Sequence, residues 1–133
     1  MNIIYCCCAQ DQSCDRVTRV VDILVAADKF DTFHHLQDFE KYLRTSLASE
    51  HLVILHAGSK KHLEQFLSLQ ELFIGQKTIV IVPDRQPDTI ALGHSLRPRF
   101  ITYADSDFLE MASVIRNILH HPESGKAGQG LRS

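Results

Sequence analysis

No apolar run in these 133 residues is long enough to cross a membrane. The start, Asn2-Ile3-Ile4-Tyr5, lacks the basic region and apolar core of a signal peptide. No membrane partner is expected, and the chain reads as cytoplasmic. Basic residues are not in excess: 14 Lys and Arg stand against 16 Asp and Glu, for a formal net charge of −2. No basic stripe is visible, which argues against a nucleic-acid partner. The 4 cysteines, Cys6, Cys7, Cys8 and Cys14, never fall in C-x-x-C spacing, so the usual zinc and thioredoxin motifs are missing. In a cytosolic protein all of them are expected to be thiols. Glycine is missing from the loop Ala9-Gln10-Asp11-Gln12-Ser13, which argues against a flavin or dinucleotide phosphate loop. No cofactor is expected. There is no internal repeat and no domain boundary.

Enough apolar sequence is present to bury a core: 44% of the chain is hydrophobic and 23% is charged. Ile3 to Cys8 reads as a first strand, with Cys counted as a small hydrophobe. Neighbouring residues of a strand point to opposite faces, so the Cys triplet cannot chelate as one cluster. Val17, Val20, Val21, Leu24 and Val25 recur at helical spacing over Cys14 to Ala27, with Ser13 as the N-cap. Phe30 to His35 alternates as a short polar edge strand. Leu36, Phe39, Leu43 and Leu47 mark a second helix. His51 to Ala57 is a buried central strand, followed by a helix with Leu63, Phe66 and Leu67 on its apolar face. Ser59 caps that helix, and Gly75 ends the segment at a left-handed position. Thr78 to Val82 is a second central strand, rich in β-branched residues. Pro87 falls in a loop, Thr89 to Leu96 is a short helix, and Arg99 to Ala104 is a fifth strand. Ser106 or Asp107 caps a last helix built on Phe108, Met111, Ile115 and Ile118. Residues 1–122 form the domain. Residues 123–133, with no core residue, are expected to be a flexible tail.

Strands alternating with helices predict an α/β fold with a parallel sheet. Right-handed crossovers make it a three-layer αβα sandwich, five-stranded, in the flavodoxin-like order 2-1-3-4-5. The pattern resembles the receiver domain of bacterial response regulators over roughly residues 1–121. His51-Leu52-Val53-Ile54-Leu55-His56 is similar to that family's third strand. Thr78-Ile79-Val80-Ile81-Val82 is similar to its fourth, and Arg99-Phe100-Ile101-Thr102-Tyr103-Ala104 to its fifth. The resemblance implies an acidic pair after the first strand and a phospho-accepting Asp ending the third. It also implies a Ser or Thr ending the fourth strand and a Lys ending the fifth. At those positions stand Cys7-Cys8-Ala9, His56, Val82-Pro83 and Tyr103 or Ala104. Only Asp11 and Asp84 lie near enough to offer magnesium a hard oxygen. The resemblance therefore implies a degenerate receiver that keeps the scaffold and its docking faces without the phosphorylation machinery. Such a module is non-catalytic and acts on a protein partner in a signalling pathway. The family's dimer face places a homodimer contact on Leu109, Val114 and Tyr103.

A second reading is a small Cys/His protein with its site at the C-terminal edge of the sheet. His56 leaves the third strand where open α/β sheets place chemistry, so it is a candidate acid/base, acceptor or ligand. In the order 2-1-3, Cys8, His34 or His35, and His56 would share one edge, a donor set that suits zinc or another transition metal. Cys8 before a helix N-terminus also invites a thiolate. Phosphotransferase IIB domains and low-molecular-weight tyrosine phosphatases resemble this placement, with a Cys opening a phosphate loop. Asp11 would repel an anion there, and Arg16 stands one position too far for C-x5-R. Lys60 and Lys61 read as a solvated face, and His120-His121 as surface.

Overall fold

Central strands that are apolar on both sides need helices on both sides, and that requirement sets the architecture. The computed structural model describes residues 2–26, 29–45 and 50–120. Five parallel strands run in the order β2-β1-β3-β4-β5, where β1 is Asn2–Cys7, β2 Phe30–Phe33, β3 His51–His56, β4 Lys77–Val82 and β5 Phe100–Tyr103. The helices are α1 Gln12–Leu24, α2 Leu36–Thr45, α3 Lys60–Ser68, α4 Pro87–Ser95 and α5 Leu109–His120, with one turn of 3-10 helix at Gln70–Leu72. The flavodoxin-like sandwich expected from the alternation of strands and helices is the fold.

Side-chain parity divides the core in two. Ile3, Tyr5 and Cys7 of β1, Leu52 and Ile54 of β3, and Ile79 and Ile81 of β4 meet Val17 and Val21 of α1 and Met111, Ile115 and Ile118 of α5. Ile4, Cys6, Val53, Leu55, Val80 and Val82 point the other way, toward Phe39, Leu43, Leu63, Phe66 and Phe73. Every residue of β3 is buried, whereas edge strand β2 has none fully buried.

Some boundaries and caps differ from expectation. The N-cap of α1 is Asp11, whose carboxylate accepts from the Ser13 backbone N–H at 2.9 Å, so the helix begins earlier and Ser13 lies buried within its first turn. Pro87 opens α4 instead of lying in a loop, because a missing N–H costs nothing in a first helical turn. Ser59 takes the N-cap position of α3 without a side-chain cap bond. Gly75 has φ +91°, as its place after the 3-10 turn predicts. Both expected caps act before α5: Ser106 Oγ accepts from Phe108 N at 2.9 Å and Asp107 Oδ1 from Leu109 N at 3.0 Å. The expectations for Ala27, Leu47, His121 and the tail lie outside the described residues. No described helix is long and apolar enough to cross a membrane.

Candidate functional site

The parallel register sets Cys7 of β1 directly beside His56 of β3, both pointing into the core that α1 and α5 cover. After β1 the chain passes through a short loop and returns over the strand end as α1. The first turn of that helix carries Ser13 and Cys14 back onto the same spot. A disulfide joins Cys7 to Cys14, across a Cα–Cα distance of 6.4 Å. The expectation of free thiols is therefore overturned for these two residues, while Cys6 and Cys8 remain free. The physical reason is the strand–loop–helix return, which brings residues seven apart within bonding reach.

His56 is fully buried. The Tyr5 hydroxyl lies 2.6 Å from its Nδ1, and Ser13 Oγ lies 3.0 Å from its Nε2. The end of this chain fixes its proton directions. Asp11 Oδ1 accepts from both the backbone N–H and the hydroxyl of Ser13. Ser13 has spent its only hydroxyl proton there, so its oxygen accepts from His56 Nε2–H. Nδ1 is then the bare nitrogen, and Tyr5 donates to it. Burial pushes the His56 pKa down to about 4, with Asp11 opposing and Arg16 assisting, so the ring is neutral at neutral pH. The hydrogen bonds from Ser13 hold Asp11 below the usual carboxylate range. Burial, and then the charge of Asp11, raises the Tyr5 phenol.

Two neighbouring clefts open at this sheet edge. Cys7, Ala9, Gln10, Asp11, Cys14, Asp15, His34 and His35 line the first, so the disulfide lies at its wall. Asp11, Ser13, Arg16, Asp84, Arg85, Tyr103 and Asp105 border the second. The charges that border it are engaged within the protein. Asp11 is held by Ser13, Asp84 accepts from Gln86 N at 2.9 Å, and Asp105 pairs with Arg85 at 2.9 Å. Arg16 donates to the carbonyls of Ala104 and Ser106 at 2.7 and 2.6 Å and lies over the Phe108 ring.

Cys8 lies on the opposite face, in a third cleft with Gln10, His34, His35, Asp38 and His62. A hydrogen bond from the Cys6 thiol lowers the Cys8 pKa and raises that of Cys6. The structure thus brings Cys8 together with His34 and His35 but places His56 on the other side of the sheet. Among the described residues, the group of three ligand-type side chains whose donor atoms lie within 4.8 Å of one another is Cys7, Cys14 and His56. Sequence reading missed Cys7 and Cys14 as a pair. Parity separates Cys7 from Cys8, but the register of β1 on β3 decides which of them faces His56. Of the residues read as a docking face, Leu109 is 67% exposed, Val114 packs partly buried against the core, and Tyr103 lies beneath the Arg85 guanidinium at 4.0 Å.

No protein-family model, no curated protein and no solved structure matches this chain.

Proposed function

We propose that this protein is a non-catalytic, receiver-like regulatory module that acts by protein–protein contact, switched by thiol–disulfide exchange at Cys7 and Cys14 instead of by phosphorylation. One observation carries the reading. The sheet edge that in receivers holds carboxylates and a phospho-acceptor here holds a disulfide, at the wall of an open cleft, against a buried, doubly hydrogen-bonded histidine. His56 is a poor phosphoryl acceptor, because both ring nitrogens are engaged and the ring is wholly covered. The disulfide ties the end of β1 to the first turn of α1, so breaking it frees the loop between them. Arg16, two residues beyond Cys14, bonds to the carbonyls before α5 and links that loop to the α5 side of the molecule. The docking surface we assign is the face formed by α4, β5 and α5, where exposed Leu109 lies, and the partner we assign to it is a second copy of the chain.

Alkylation mass spectrometry in graded dithiol buffers tests the switch. Cys7 and Cys14 should become alkylated together and reversibly, without denaturant. Hydrogen exchange should rise over residues 8–16 on reduction. A stable phosphoryl adduct after incubation with acetyl phosphate and magnesium would overturn the reading, as would a Cys7–Cys14 pair that resists reduction until the protein unfolds. Sedimentation of the oxidised and reduced forms tests self-association on that face.

A further inference from the structure

The disulfide-bonded pair does not use the donor capacity of its own surroundings. We propose that reduction converts Cys7, Cys14 and His56 into a binding site for a zinc ion, so that redox state decides whether the metal is held. This rests on the reversible reduction proposed above and adds the ligand that the opened site takes.

Geometry carries the assignment. Zinc takes thiolate and imidazole donors at about 2.3 and 2.0–2.1 Å in a tetrahedron, which sets a sulfur–nitrogen edge of roughly 3.6 Å. Cys7 Sγ and His56 Nδ1 already lie 3.7 Å apart. The sulfur–sulfur edge of such a tetrahedron is about 3.8 Å, which two freed sulfurs on Cα atoms 6.4 Å apart can span by side-chain rotation. A metal-bound histidine usually donates its other ring N–H to an oriented acceptor, which fixes the tautomer. Here Nε2 lies 3.0 Å from Ser13 Oγ, and Asp11 fixes Ser13 in turn. Nδ1 is thereby left bare on the side of the sulfurs. The cation displaces the Tyr5 hydroxyl from Nδ1, and water from the cleft beside Gln10 and Gln12 fills the fourth position.

The steps balance with an external dithiol as reductant. The dithiol gives two electrons and two protons, the Cys7–Cys14 bond breaks, and a disulfide forms within the reductant. The carbonyl oxygen of Ala9, 3.3 and 3.1 Å from the two sulfurs, accepts from the new thiols. Zinc then binds both sulfurs as thiolates and releases their two protons to water.

The test uses the full chain without a histidine tag. Protein reduced with a phosphine is titrated with zinc against a chromophoric chelator, with cobalt(II) as a second, spectroscopic probe. Alkylation of a metal-free aliquot counts free thiols. The reduced protein should bind one equivalent of zinc and give a sulfur-to-cobalt charge-transfer band, and the oxidised protein should give neither. Cys14→Ser should abolish stoichiometric binding, and Cys8→Ser should leave it intact. Ser13→Ala should weaken it about 10-fold by releasing the imidazole. Tyr5→Phe should bind zinc at least as tightly, because the competing hydrogen bond to Nδ1 is gone. Circular dichroism of each variant separates a lost ligand from a lost fold. Free thiols with no zinc uptake would overturn the metal site alone. Zinc uptake that survives Cys14→Ser but not Cys8→Ser would overturn it in favour of the opposite face. Thiols that never become free in folded protein would overturn the switch, and the metal site with it.

Discussion

At the scale of the residue, His56 couples the site to acidity. Its pKa falls from 6.5 in an unfolded chain to about 4 in the fold, because the protonated ring would be buried away from water. Above pH 6.5 the ring is neutral in both states and adds no pH dependence. As pH falls from 6.5 toward 4, the unfolded chain takes up a proton that the native chain refuses, so stability drops. At about 1.4 kcal/mol per unit, the loss is on the order of 3 kcal/mol and is complete once pH passes below the folded value. Asp11 acts in the same direction at the acid end, because its folded pKa is also depressed. The informative comparison is therefore His56→Gln, which removes the His56 share and leaves the larger part of Asp11's, which comes from its hydrogen bonds with Ser13. Urea midpoints of the oxidised protein between pH 7 and pH 4 should fall steeply for the native sequence and much less for the variant. Parallel slopes would mean that the imidazole is not the group refusing the proton.

At the scale of the element, the strands were legible and the turn that completes the site was not. Val-Ile-Leu and Ile-Val-Ile-Val runs admit few alternatives to buried parallel strands, and β3 and β4 lie where their apolar runs place them. The alternation of Cys6, Cys7 and Cys8 across the sheet was also readable. What the sequence could not supply was the register of β1 on β3, which decides whether Cys7 or Cys8 stands beside His56. Nor could it supply the starting point of α1, which Asp11 sets two residues earlier than a Ser13 cap would. Both depend on contacts between segments far apart in the chain, to which local periodicity is blind. Two glycines test the loops at the end of β3 and before β4. A Cβ on Gly58 would lie 2.8 Å from the backbone Cα of Ala9, whose carbonyl touches both sulfurs. Gly58→Ala should therefore cost about 1–3 kcal/mol and shift the amide resonances of the β1–α1 loop. Gly75 has nothing within 4 Å of that position, but its φ is +91°. Gly75→Ala should cost about 1–2 kcal/mol through backbone strain alone and leave the loop resonances unmoved. If Gly58→Ala leaves them unmoved too, the close approach that seats Ala9 under the sulfurs is not there.

At the scale of the whole molecule, the question is how far a change at one strand end travels. The disulfide closes a short loop, with a sequence separation of 7, and chain-entropy reasoning gives such a link about 2–2.5 kcal/mol. That is a modest share of the roughly 5–15 kcal/mol that holds a domain together, so reduction should loosen the fold without unfolding it. The two cores differ in exposure to the change. The link lies on the face covered by α1 and α5, and Arg16 carries it onward to the carbonyls of Ala104 and Ser106. The face under α2, α3 and α4 is separated from it by the sheet. Reduction should therefore lower the urea-derived stability by about 2 kcal/mol. It should speed amide exchange in α1 and at the start of α5 while leaving α2 and α3 unchanged. A uniform rise in exchange over all five helices would mean that the molecule loosens as a single unit, and the Cys7–Cys14 link would then be a staple with no direction to its effect.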